Sequence, residues 1–144
     1  MKKIFFATLT LLFSFAVRAS EEPTEKVLEA FNKTFLNVKD VTWDTYNNQY
    51  EAKFSQSDIK VRVWYDADGN VVKALRYYYG ETLPIFIRSK LNRKYEGKHV
   101  FGVTEESSDE TITYHIILED EKNWIDVKAD AFGNMYTEKK YKKG

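Results

Sequence analysis

The sequence predicts an α+β chain: a tandem repeat of two units, each one helix packed on a four-stranded antiparallel sheet. Two observations carry that expectation. First, Val27, Phe31, Phe35, Asn37 and Val41 recur as Ile87, Leu91, Tyr95, Gly97 and Phe101, all at an offset of 60. Further along, Tyr50, Ala52 and Phe54 recur as Tyr114, Ile116 and Leu118. Val61, Val63, Gly69 and Asn70 recur as Ile125, Val127, Gly133 and Asn134, now at an offset of 64. The change of offset places a short insertion in one hairpin, within residues 105–110. Second, in each copy an apolar period of four gives way to a period of two, the signature of a helix followed by half-buried strands. Side chains common to both copies read as architecture, and those that differ are candidates for recognition.

The chain opens on Met1-Lys2-Lys3, an apolar run over residues 4–17, and Arg18-Ala19-Ser20. A basic start, an apolar stretch and small residues at Val17 and Ala19 spell a secretory signal cleaved after Ala19. A membrane span asks for about 18 or more apolar residues, and here Glu21 and Glu22 follow directly. The division is therefore 1–19 signal peptide, 20–80 first unit and 81–144 second unit, with export to the periplasm or beyond and no stable membrane anchor. With no cysteine in the chain, neither lipoprotein acylation nor disulfide bracing is available, so stability must come from apolar burial. The 22 basic and 22 acidic residues balance, and loss of Lys2, Lys3 and Arg18 with the signal leaves a net charge of −3. A slightly acidic chain is poorly suited to phosphate backbones, which argues against nucleic acid. The basic tail at Lys139, Lys140, Lys142 and Lys143 reads as a solvated end.

In the first unit Val27, Phe31 and Phe35 lay an apolar stripe along a helix that starts near Pro23 or Thr24. Pro84 opens the second helix, striped by Ile87, Leu91 and Tyr95. Asn37 and Gly97 stand just past the helices and read as left-handed caps. Strands are expected near 41–46, 49–55, 58–66 and 70–79, then 99–105, 110–118, 122–130 and 134–141. Residues 80–83 form a short linker. The two sheets would lie side by side with both helices on the same side, leaving the opposite face of each sheet open. Asp66-Ala67-Asp68-Gly69-Asn70 looks like the opening of a calcium loop, but its glycine falls at position four where an EF-hand needs it at position six. A hairpin turn with glycine at positive φ accounts for it and for Asp130-Ala131-Phe132-Gly133-Asn134, so no metal is expected there.

Catalytic machinery is thin. The two histidines, His99 and His115, sit alone on strands, the carboxylates cluster at turns, and no glycine-rich phosphate loop or hydrolase motif appears. No cofactor is expected and the chain reads as non-enzymatic. A pocket in which His115 met two carboxylates with displaced pKa values would reopen that question. What stands out is the aromatic content, 16% of the chain. Trp64 shares its strand phase with Lys60 and Arg62, and Trp124 shares its phase with Asp126 and Lys128, so both belong to the open face. Tyr78 joins that face if Gly69 makes a three-residue hairpin loop. Trp64, Arg62, Tyr78 and Trp124 are thus the candidate binding residues, since tryptophan among charges is the make-up of a protein-recognition surface. The plain alternative is that a loop or the other unit covers them.

The order helix, Val41-x-Trp43, Tyr50-Glu51-Ala52-Lys53-Phe54, Tyr65-Asp66-Ala67-Asp68-Gly69-Asn70, then Leu83-Pro84 before a second helix resembles the PepSY-like family of exported bacterial proteins. The implied architecture is similar to that of the beta-lactamase inhibitory protein. The second copy departs from the pattern, with Val103 in place of the tryptophan and Phe132 in the turn. The resemblance implies a binding module without naming its ligand; with the tryptophans of the open sheet face it leads to the expectation of a protein or peptide partner, an exported hydrolase to be inhibited being one candidate. The alternative is a carrier of a small amphiphilic or sugar ligand, which a closed apolar cavity would favour over a broad shallow face.

Overall fold

The computed structural model describes residues 22–144, and the expected signal segment lies outside the described residues. Helix α1 (Glu25–Thr34) precedes strands β1 (Thr42–Tyr46), β2 (Gln49–Gln56), β3 (Ile59–Tyr65) and β4 (Val71–Tyr78). A 3-10 turn, Gly80–Thr82, leads into α2 (Ile85–Lys94), followed by β5 (His99–Ser108), β6 (Thr111–Glu119), β7 (Asn123–Asp130) and β8 (Met135–Lys142). Thr24 caps α1, its hydroxyl accepting from the Val27 amide at 3.3 Å, and Pro84 precedes the first turn of α2. Asn37 and Gly97 take the expected left-handed backbone, at φ 61° and 73°.

The expectation of two separate four-stranded units is overturned. All eight strands form one antiparallel sheet in the order β1-β2-β3-β4-β5-β6-β7-β8. Strand β4 pairs with β5 from Lys73 opposite Ser108 to Tyr78 opposite Val103. The physical reason is that a four-stranded meander ending at β4 would expose a row of unpaired backbone N–H and C=O groups, as would one beginning at β5. Joined, they satisfy each other. The insertion at residues 105–110 has a part in this, because it is not a loop. It lengthens β5 and β6, and residues 105–108 are the partners of Arg76, Leu75, Ala74 and Lys73. Only Asp109 and Glu110 remain as the turn, at φ 47° and 62°.

Both helices cover one face of this sheet. Val27 and Phe31 pack on Tyr50, Ala52, Phe54, Val61, Val63 and Tyr65. Phe54 meets Phe31 and Phe35 edge to face, and Phe31 and Phe35 are tilted against each other, with ring centroids 4.8–5.4 Å apart. Ile87 and Leu91 pack on Val103, Tyr114, Ile116, Leu118, Ile125 and Val127. The core crosses the middle of the sheet, for Tyr78 of β4 belongs to the cluster under α2 and Ile59 touches both clusters.

Candidate binding face of the sheet

The helices leave the other sheet face open, and strand alternation decides which side chains reach it. On β3, Trp64 stands there opposite Glu51 of β2 and Lys73 of β4. The Arg62 guanidinium lies 4.9 Å and the Lys73 ammonium 5.8 Å from its ring centroid, so the indole is half-covered by two cations. Arg62 Nε donates to Glu51 Oε1 at 2.5 Å, and this hydrogen bond is the main reason its pKa is raised. Lys53 pairs with Asp44, and Lys73 reaches Glu106 across the β4–β5 junction at 3.0 Å. Trp64 therefore sits within a continuous ladder of opposite charges.

Trp124, on β7, stands on the same face beside different partners. Phe101 meets it edge to face at 4.8 Å, and the Lys143 ammonium lies 4.4 Å from its ring. Lys143 also binds Glu119 at 2.6 Å and so holds that carboxyl below its usual range. Four strand spacings separate Trp64 from Trp124, roughly 19 Å, so the structure does not bring the two tryptophans together. Between them lies a shallow depression of about 400 Å³ whose lining includes Lys60, Tyr77, Tyr79, Phe101, His115 and Ile117.

Tyr78 is not on this face. The loop at Ala67-Asp68-Gly69 is the three-residue hairpin that would have put it there: the Asp66 amide donates to the Asn70 carbonyl at 3.0 Å and Gly69 has φ 86°. The register then shifts between Trp64 and Tyr65, so that Tyr65 faces Val71 while Trp64 faces Lys73. Val72 is the extra residue of a β-bulge, and one extra residue turns every later side chain of β4 over. Lys73, Leu75 and Tyr77 consequently share the Trp64 face. Tyr78 is buried under the helices, 5% exposed, with its hydroxyl donating to Glu105 Oε2 at 2.5 Å. Arg76 binds the other oxygen of that buried carboxylate at 2.9 Å. Burial and the Glu105 hydrogen bond push the Tyr78 pKa far up.

A second bulge brings Phe101 to the open face. Val100 faces Leu118 and Gly102 faces Ile117, with Phe101 between them as the extra residue. It matches Val41 in the sequence, which packs at the edge of the core, yet Phe101 is 52% exposed. Gly102 inside a strand was the available sign, since an isolated strand glycine marks a bulge. Ile117 carried a signal too, being apolar in the outward phase of β6.

His115 does meet two carboxylates here. Its Nε2 lies 3.8 Å from Glu106 and its Nδ1 3.9 Å from Glu138, beyond hydrogen-bond reach. The Glu106 carboxyl is held below its usual range, first by its hydrogen bond to Lys73. Among the described residues no group of three or more acidic or imidazole side chains is placed to hold a metal ion. Asp66 directs its carboxylate to its own turn, accepting from the amides of Asp68 and Asn70 at 2.9 Å.

No family model matches the chain, and no curated protein does. Solved structures do. A BLIP-like protein from Bacteroides fragilis superposes with a TM-score of 0.65 at 19% identity, covering 86% of this chain and 90% of that one. A DUF2874 family protein from Bacteroides ovatus gives 0.62 at 17% identity, over 85% and 89% of the two chains. A Bacteroides eggerthii protein, whose description as periplasmic is itself provisional, gives 0.61 at 15% identity, over 85% and 90%. The likeness is one of fold. It supports the architecture of the beta-lactamase inhibitory protein expected from the sequence, while the PepSY-like assignment is not among these matches. No helix among the described residues is long and apolar enough to cross a membrane.

Proposed function

We propose that this chain is an exported, non-enzymatic protein that binds a protein or peptide partner across the open face of its sheet. The observation that carries the reading is the run of half-exposed rings and aliphatic side chains from Tyr77 through Phe101 and Ile117 to Trp124, flanked by Lys60 and Lys143. Aromatic anchors with a charged rim match the composition of protein-binding surfaces. A shallow depression suits a protrusion of a partner better than an enclosed small ligand, which favours this reading over a carrier. The fold shared with a BLIP-like protein supports the same direction and makes an exported hydrolase the first partner class to try. The amino-terminal pattern and the description of one structural neighbour support periplasmic residence.

The test is affinity capture from an envelope extract on immobilised residues 20–144, run in parallel with a Phe101→Ala, Trp124→Ala variant. Truncating an anchoring aromatic costs roughly 2 kcal/mol of binding, more than tenfold in affinity. A partner retained by the parent chain and lost by the variant, at similar thermal midpoints, is the expected result. Equal retention by both would remove the open face from consideration.

A further inference from the structure

Helix α2 differs from α1 at the positions where the architecture leaves most freedom. In the first half, Lys26 on α1 reaches over to Asp68 in the β3–β4 turn and forms an exposed ion pair at 2.6 Å. The residues at the matching offsets are Phe86 on α2 and Phe132 in the β7–β8 turn. Beside Lys26 stands Glu25, and its match is Ile85. Thus the positions that carry a salt bridge and its acidic neighbour in one half carry three apolar side chains in the other, exposed at 55% for Phe86, 76% for Phe132 and 77% for Ile85. The fold does not require apolar groups here, because its other half manages with charge.

Lys90 links the Phe86 ring to the backbone of the β7–β8 turn. The Lys90 ammonium lies 4.5 Å from the Phe86 ring centroid and donates to the Phe132 carbonyl at 2.9 Å. Around them α2 carries Arg88, Lys90, Arg93 and Lys94 and not one acidic residue. Among the described residues none of these four forms an ion pair with a carboxylate: Arg88 and Lys94 turn to the backbone carbonyls of Glu81 and Met135. Helix α1, by contrast, offsets Lys33 with Glu29 at 2.6 Å. A chain whose charges balance therefore presents one helix whose charged residues are all cationic, tipped with exposed phenylalanine and isoleucine.

We propose that the outer face of α2 with the β7–β8 turn is a peripheral docking site for an anionic phospholipid bilayer. Ile85, Phe86 and Phe132 enter the headgroup boundary, and Arg88, Lys90, Arg93 and Lys94 meet the lipid phosphates. Apolar groups that insert shallowly, ringed by cations that draw them to negative headgroups, are what interfacial binding requires. Charge complementarity selects this occupant over a neutral protein surface. The site lies on the helix side of the sheet, so a docked molecule keeps the open face turned outward.

The experiment uses residues 20–144 with sedimented vesicles, either phosphatidylglycerol and phosphatidylethanolamine mixed, or phosphatidylcholine alone. Binding to the anionic vesicles at least tenfold tighter than to the neutral ones, and released by 0.5 M salt, is the expected result. The variant Phe86→Lys, Phe132→Asp copies the ion pair of the other half and so retains the fold, checked by its circular dichroism and thermal midpoint. It should lose at least tenfold in vesicle affinity, and Arg93→Glu should lose severalfold. Binding that ignores lipid charge, or that survives Phe86→Lys, Phe132→Asp intact, overturns the proposal. A shift of the parent chain from dimer to monomer on that double substitution would also overturn it, by assigning the patch to self-association. Capture through the open face does not depend on any of these outcomes.

Discussion

Two buried tyrosines show how much a single hydroxyl can differ in what it does for the fold. Tyr78 donates to the carboxylate of Glu105, itself buried, at 2.5 Å, whereas the fully buried Tyr65 hydroxyl has no hydrogen-bond partner. A hydrogen bond to a charged acceptor is worth roughly 1.5–3 kcal/mol, and a buried unsatisfied donor is a cost. Tyr78→Phe should therefore destabilise by about that amount, and Tyr65→Phe should be neutral or stabilising by about 1 kcal/mol. Urea denaturation of the two variants checks this, and a loss of stability in Tyr65→Phe would mean that its hydroxyl is satisfied after all. Alkaline pH should separate them further. Burial pushes the Tyr65 hydroxyl up to about 12, while an unfolded tyrosine ionises near 10. The raised folded value means that the stabilisation is complete below about pH 10 and is lost as pH climbs towards about 12. Tyr65→Phe should lessen that decline without abolishing it, because Tyr78 and Tyr114 are raised in the same sense, first by burial.

At the scale of elements, the turns after β3 and β7 are built alike. Asp66 accepts from the amides two and four residues ahead, and Asp130 does the same to Phe132 and Asn134 at 2.9 Å. Both carboxyls are held below their ordinary range, first by the side-chain amide of Asn70 or Asn134. A lowered folded pKa gives stability that is present above the unfolded value near 3.9 and lost as pH falls from there through the lower folded value. The thermal midpoint should thus fall between about pH 5 and pH 3, and more gently in an Asp66→Asn, Asp130→Asn variant, whose uncharged amides still accept. Parallel slopes would show that the turn carboxylates do not contribute. Helices, strands and these turns were legible in the sequence because each rests on near neighbours: apolar spacing for α1 and α2, alternation for the strands, glycine for the hairpins. The faces of β4 and β5 were not, since Val72 and Phe101 are single extra residues whose effect appears only in the pairing with the next strand. One of the four candidate residues was misplaced accordingly. Trp64, Arg62 and Trp124 keep the phase that alternation assigned to them, while Tyr78 changes places with Tyr77 and Phe101 arrives unannounced.

At the scale of the whole molecule, the question is whether one sheet behaves as one cooperative body. The junction is not weak: β4 and β5 pair along most of β4, Arg76 and Tyr78 converge on Glu105, and Lys73 reaches Glu106. None of this was readable from internal repetition, which reports what two segments share and is silent on how they meet. A chain of this size with a core continuous through Ile59 and Tyr78 should unfold in a single transition. Tryptophan placement makes that measurable, because Trp43 and Trp64 lie on β1 and β3 while Trp124 lies on β7. A Trp124→Phe background reports the α1 side, and a Trp43→Phe, Trp64→Phe background reports the α2 side. Leu91→Ala, which opens a cavity beneath α2, should cost about 2–5 kcal/mol. In both backgrounds the urea midpoint should move down by the same amount relative to its own parent, although Leu91 touches only one of the two clusters. If the Trp43 and Trp64 signal holds its midpoint while the Trp124 signal falls, the halves unfold independently and the eight-stranded sheet is two bodies in contact.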